Sequence, residues 1–348
     1  MQRIEKLRKI LGMGEAAYIS SFANVFYYSG FQSADASFLV TADRAVLITD
    51  SRYFVQAKIQ SPDFEIYNIK DTLAGVFSQV SCERVLYEEE AISAGAFERL
   101  KKAAPGREFL PAQKKISEPR AVKEETEIRR IRAAEELGDA AFSHVLGKIG
   151  EGVTEREIAF ELEFFMRKNG ASGLSFETIA ASGERSAMPH GVATDRRLRR
   201  GDLLTLDFGC VLDGYCSDMT RTVGIGELSE RARELYEVTL RAQKTAIAAV
   251  KSGAELLAVD AAARNVIADA GFGEYFSHAL GHSVGIEIHE NPCFSPRSTG
   301  NAERGNVITV EPGIYIEGFG GVRIEDLVAV TDEGCEILSK SPKELIIL

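Results

Sequence analysis

The chain has 348 residues, 45% of them hydrophobic, with 41 Lys and Arg against 52 Asp and Glu for a formal net charge of −11. That length is enough for two domains with real cores, no run approaches the roughly 18 apolar residues of a membrane span, and the amino terminus lacks the apolar core of a signal peptide. A soluble, cytoplasmic protein is expected, and the acidic balance argues against nucleic acid as a partner. The five cysteines, Cys82, Cys210, Cys216, Cys293 and Cys335, show no CxxC spacing, which predicts reduced thiols rather than a disulfide framework or a thiolate zinc site.

In chain order, "AAYISSF", "SFLVT" and "AVLIT" read as short strands, with a turn at "ADR", and "DSRYFVQAKIQ" reads as a helix. The first third is therefore an α/β domain. The polar stretch "SEPRAVKEE", with Pro119, leads into the helical "ETEIRRIRAAEELGDAAFSHVLGKI", so the boundary falls between a first domain at 1–120 and a second at 121–348. Thr154 and Glu157 form a capping box for a helix that runs to about Asn169 and stops at Gly170. Two amphipathic helices follow, near 229–250 and 254–270, among strand pairs. Alternating helix pairs and antiparallel strands make the second domain α+β. The basic "RRLRRGD" reads as a solvated loop.

The segment "LTLDFGCVLDGYCSDMTRT" places acids on strands that look built for burial. A two-residue turn at Asp213-Gly214 pairs Leu212 with Tyr215 and hence Asp207 with Thr220 and Gly209 with Asp218. Asp207 and Asp218 then lie diagonally on one face, about 7 to 8 Å apart at Cα, where both carboxylates can converge on one cation. A second pair occurs in "NVITVEPGIYIEGFGGVRIEDLVAV", with one strand ending at Glu311, a connection through Gly318, Gly320 and Gly321, and a strand carrying Arg323 and Glu325 on one face. There Arg323 is placed to orient a carboxylate or to form an Arg–Glu pair. Buried carboxylates cost several kcal/mol each, and a metal centre offsets that for all four. "SHALGHSVGIEIHENP" adds His278, His282 and His289, three of the five histidines. The i, i+4 spacing of His278 and His282 suits a helical ligand pair, whereas Gly281 and Gly285 argue against a continuous helix; spacing alone does not choose the ligand. Gly281-His282-Ser283-Val284-Gly285 matches G-x-S-x-G, but no helix follows Ser283 and no distant histidine completes a triad, so a serine hydrolase is rejected.

These residues carry a resemblance. "LDFGCVLDGYCSDMTRT", "GHSVGIEIHENP", "VEPGIYI" and "GVRIEDLV", in this order, resemble the pita-bread metallopeptidases (M24), specifically the Xaa-Pro aminopeptidase and prolidase branch, and the first domain resembles their creatinase-type amino-terminal domain. The resemblance implies two divalent metal ions, Mn²⁺ with Co²⁺ or Zn²⁺ as substitutes, held by Asp207, Asp218, His282, Glu311 and Glu325. It also implies a water activated by that pair, Glu311 as the group that moves its proton, and His190 and His289 as catalytic and substrate-binding histidines. Arg323 is assigned to the substrate side, His278 to a supporting role, and His144 to structure. The hard, oxygen-rich donor set suits Mn²⁺. Peptides with proline second are the expected substrates and a homodimer the expected state. Cys293 stands where many prolidase-like sequences carry an arginine, which favours an Xaa-Pro aminopeptidase; with Arg297 as a substitute cation, an Xaa-Pro dipeptidase is the alternative. A non-catalytic binding module would show missing ligands, and none is missing.

Overall fold

A computed structural model describes residues 2–71 and 73–348. The chain divides into two compact units, 1–120 and 121–348. The first is built on a six-stranded mixed sheet in the order Glu65–Asn68, Ala45–Thr49, Ala36–Val40, Glu15–Ile19, Arg84–Tyr87 and Glu108–Pro111. The central three are antiparallel neighbours and the flanking pairings parallel. The "AAYISSF" run is strand only as far as Ile19. Ser21 caps a helix, Phe22–Ser29, because the Glu88 carboxylate accepts from the backbone of Ser20 and Ser21 and turns the chain there.

The second unit consists of two helix pairs, each covering antiparallel strands. Helices Glu125–Leu146 and Glu155–Lys168 share a core with strands Ile179–Ser182, Leu203–Phe208 and Met219–Gly224. Helices Glu230–Ala249 and Leu256–Asp269 share another with a five-stranded sheet ordered Glu290–Phe294, Gly281–Ser283, Val307–Val310, Asp326–Val330 and Cys335–Ile337. The Thr154–Glu157 capping box is formed, with both reciprocal bonds made. No helix among the described residues is long and apolar enough to cross a membrane.

The Asp213-Gly214 turn has φ of 49° and 80°, both positive as a two-residue hairpin turn requires. Leu212 pairs with Tyr215 and Asp207 with Thr220, so the register is the one the turn dictates. The ladder is interrupted at Gly209, where the backbone passes so close to Ser217 that a Cβ would lie 2.0 Å from its carbonyl oxygen. The 307–330 region differs from the two continuous strands read from sequence. Pro312 has no N–H to continue a ladder, and the chain forms instead a separate ribbon, Gly313–Ile316 with Gly320–Arg323, before Asp326–Val330 rejoins Val307–Val310. Glu311 and Glu325 therefore sit in the gaps between strands rather than on them.

Candidate metal centre and active site

Each acid reaches the site from a different strand end. Asp207 lies near the end of Leu203–Phe208, Asp218 immediately before Met219–Gly224, and Glu311 and Glu325 in the two gaps just described. Carboxylate oxygens of Asp207, Asp218 and Glu325 lie within 4.8 Å of one another. His282, on the short strand Gly281–Ser283, brings Nε2 to 3.5 Å from Asp218 and 3.4 Å from Glu311. Its strand can approach that closely because residue 281 is glycine: a Cβ there would stand 1.9 Å from the Thr309 carbonyl oxygen. The His282 Nδ1 lies 3.2 Å from the Ser283 carbonyl oxygen. A carbonyl only accepts, so Nδ1 carries the proton and Nε2 presents its lone pair to the acids. The two histidines are not on one helix: His282 turns inward from the strand Gly281–Ser283, and His278 precedes that strand.

All five expected ligand residues line one cavity of about 270 Å³ together with His190, His278, His289 and Arg323. Its apolar walls are Phe176, Ile179, Pro189 and Ile288. His289 stacks edge-on against His282, ring centres 4.3 Å apart. Arg323 does not pair with Glu325. It is buried, and it donates from Nη2 to Asp207 at 2.6 Å, from Nε to Thr220 at 3.0 Å and from Nη1 to the Tyr315 hydroxyl at 2.8 Å. Glu325 takes its hydrogen bond from the Thr220 hydroxyl instead, at 2.6 Å. The Tyr315 hydroxyl also meets His278 Nε2 at 2.9 Å, while His278 Nδ1 faces the Ala279 carbonyl at 2.8 Å. By the same acceptor argument His278 is the Nδ1–H tautomer, and Tyr315 donates to it. Asp207, Arg323, Tyr315 and His278 thus form one chain of hydrogen bonds, in which Tyr315 links two cavity-lining residues, Arg323 and His278. Tyr315 and Thr220 were not singled out from sequence, although a tyrosine within aliphatic "GIYI" and a threonine opposite an acid were visible there.

The electrostatics of this arrangement call for a cation. Burial pushes the Asp218 and Glu325 carboxyls well above the usual range, and the other acids of the cluster push them further; burial raises Glu311 as well. Burial also holds His282 below the ordinary histidine value, in the neutral form a ligand needs. Asp207 Oδ2 is satisfied by Arg323, but its buried Oδ1 has no hydrogen-bond partner. An orphaned carboxylate oxygen, three further acids and a neutral imidazole aimed at one point fit divalent ions.

The remaining expectations find their places. Ser283 is buried, and its hydroxyl donates to the Pro292 carbonyl at 2.8 Å, not to a histidine. Arg297 is exposed and does not line the cavity. All five cysteines are free, and only Cys293 touches the cavity, opposite His282 in the strand pairing. His144 pairs with Glu161 and stacks on Phe165, away from the site. The "RRLRRGD" loop is exposed at Arg197, Arg199 and Arg200, while Arg196 pairs with Asp202.

A two-domain chain whose second, α+β unit gathers four carboxylates and a histidine in a cavity is a metallopeptidase in layout. The sequence matches the models of metallopeptidase family M24 over residues 129–332 and of the creatinase/prolidase N-terminal domain over residues 3–122, and the chain belongs to that family. It is 40% identical to the Xaa-Pro dipeptidase of Pyrococcus horikoshii, over 98% of this chain and 99% of that protein. Among solved structures, the Xaa-Pro dipeptidase from Bacillus anthracis superposes with a TM-score of 0.97 at 41% identity, covering 100% of this chain and 99% of the other. The X-Pro aminopeptidase from Thermotoga maritima gives 0.93 at 40%, covering 99% and 100%.

Proposed function

We propose that this metallo-exopeptidase is an Xaa-Pro dipeptidase that uses two divalent ions, Mn²⁺ first among them, held by Asp207, Asp218, His282, Glu311 and Glu325. The observation that carries the reading is the complete five-residue donor set in a cavity walled by apolar groups, in a chain that matches proteins named Xaa-Pro dipeptidase over nearly its whole length. When bound, such an ion pair lowers the pKa of a water toward neutrality and polarises the scissile carbonyl. Glu311 takes the proton from the attacking water and delivers it toward the proline nitrogen, a role supported by its position beside His282 and by the Thr309 hydroxyl that fixes its Oε1 at 3.0 Å. His190 and His289, at the cavity wall, hold the carbonyl oxygen as charge develops on it. Arg323 aims Asp207 through its 2.6 Å bond and lines the cavity on the substrate side. An Xaa-Pro bond has no N–H, so recognition falls to shape, for which Phe176, Ile179, Pro189 and Ile288 supply a ring-sized apolar wall. We further propose a cytoplasmic homodimer, which sedimentation of the purified chain would test.

One observation favours a second reading, the Xaa-Pro aminopeptidase. A dipeptide's proline carboxylate needs a cation, yet among the described residues Arg323 is the only Lys or Arg lining the cavity, and it is bonded to Asp207, Thr220 and Tyr315. The test is a comparison of Xaa-Pro with Xaa-Pro-Yaa at equal concentration, with Mn²⁺ and with chelator. Faster cleavage of the dipeptide supports the first reading, faster cleavage of the tripeptide the second, and metal-independent or absent cleavage of both defeats the proposal.

A further inference from the structure

His190 is carried on a segment, 183–194, that crosses the cavity edge between strand Ile179–Ser182 and the 196–200 loop. It opens with the 3-10 turn Gly183–Ala187, and its tip is closed by short backbone bonds, Met188 to Arg185, Gly191 to Met188 and Val192 to His190. His190 itself is exposed at that tip. What fixes the segment comes largely from outside it. Glu155, the first residue of helix Glu155–Lys168, is fully buried. Its Oε1 accepts the backbone N–H of Ser182 at 2.8 Å and the Ser182 hydroxyl at 2.7 Å; its Oε2 accepts the N–H of Thr194 at 3.0 Å and the Thr194 hydroxyl at 2.7 Å. Arg185 Nε spans both oxygens at 3.3 and 3.0 Å and sends Nη2 across to the Val192 carbonyl at 2.5 Å. A single carboxylate therefore ties the two stems of the segment together and anchors the arginine that braces its middle. Other ties reach neighbouring elements: the Gly321 N–H donates to the Ser186 hydroxyl at 2.8 Å beside Arg323, the Arg156 N–H donates to the Thr194 carbonyl at 3.0 Å, and Val192 bridges Ile179.

A buried carboxylate paired with a half-buried arginine is poor evidence for stability, since apolar residues of similar volume often serve as well or better. What it does supply is geometry: six directed contacts leave the stems little freedom, and His190 stands only four residues from the Thr194 stem. We propose that Glu155 is a positioning residue for the peptidase reaction, setting where His190 meets the substrate. The inference rests on the reading that His190 contacts the substrate.

The test is a double-mutant cycle. In Glu155→Gln one carboxylate oxygen becomes an amide NH₂ that faces donors, so at least one stem loses its acceptor. The variant is expected to lower kcat/KM by about 10- to 100-fold, with the loss in kcat, as a misplacement of around an ångström does. Bound metal per chain stays unchanged, and native-state trypsin cleavage after Arg185 accelerates. In a His190→Ala background the same substitution is expected to change kcat/KM by less than about twofold, because the two residues act as one unit. Equal losses in both backgrounds overturn the proposal, since Glu155 would then act independently of His190. Wild-type kinetics for His190→Ala would overturn the underlying reading, and the role proposed with it, while faster trypsin cleavage in Glu155→Gln would still report that the clasp exists. Should Glu155→Gln fail to fold, Thr194→Val removes one hydroxyl from the clasp; it is expected to lose about 3- to 10-fold, a loss that must again vanish when His190 is alanine.

Discussion

Replacing Thr220 by valine removes one oxygen from the centre of the site and almost no volume. Thr220 is fully buried; its hydroxyl donates to Glu325 at 2.6 Å and accepts from Arg323 Nε at 3.0 Å. Valine leaves both partners, Arg323 and Glu325, short of a bond in a buried place. Each buried group so abandoned costs about 1–3 kcal/mol, and the two share one environment, so the sum is taken as about 3 kcal/mol rather than their full total. The backbone bond from Glu325 N–H to the Thr220 carbonyl is untouched at 3.1 Å, which keeps the strand register. Urea unfolding in chelator should show that loss as a lower midpoint with an unchanged slope. Because Glu325 also loses the group that aims it, Mn²⁺ affinity by titration calorimetry should fall about 10- to 100-fold. A Thr220→Val protein within about 0.5 kcal/mol of wild type, with unaltered metal affinity, would refute the claim that this hydroxyl couples Arg323 to Glu325.

Other outcomes follow from the same structure. Lys123 and Glu290 form an ion pair at 3.2 Å with side chains 1% and 4% exposed, so Lys123→Met should destabilise by about 3–5 kcal/mol in urea, and Lys123→Arg by clearly less; equal stability of all three would show the pair is not buried in solution. Burial pushes the Cys335 thiol up to about 11, and the same cause takes Cys210 to about 11. The thiolate is the reactive form, so alkylation at these two sites should run about two orders of magnitude below a free cysteine at pH 8 and rise as pH climbs toward 11; peptide mapping that finds free-cysteine rates at pH 8 contradicts this. Ser283→Ala should keep wild-type kcat, losing only about 1 kcal/mol of stability from the bond to Pro292, whereas loss of turnover would revive the serine nucleophile.

Much of the site was legible because buried charge is conspicuous against apolar strands. Asp207 and Asp218 could be placed on one face from the Asp213-Gly214 turn alone, since hairpin register follows turn length. The helix at Glu155–Lys168 could be placed from its capping box. What escaped was everything decided by distant segments. Arg323 was read with Glu325, its neighbour two residues on, but the fold gives it to Asp207, 116 residues away. Glu155 sits in a helix's first turn, a favourable position for an acid on any surface; its burial against Ser182 and Thr194 exists only once the 183–194 segment folds back over it. Strand breaks at Gly209 and Pro312 were local signals whose meaning, the release of acids from the ladder into the cavity, depended on what lay across from them.

The central claim is that five side chains hold two ions and that hydrolysis depends on them. Chelator-stripped protein titrated with Mn²⁺ should gain proline release from an Xaa-Pro dipeptide in step with the uptake of two ions per chain, and Asp218→Asn should gain neither full uptake nor activity. Undiminished proline release from the stripped protein, or full activity in Asp218→Asn, would contradict the account.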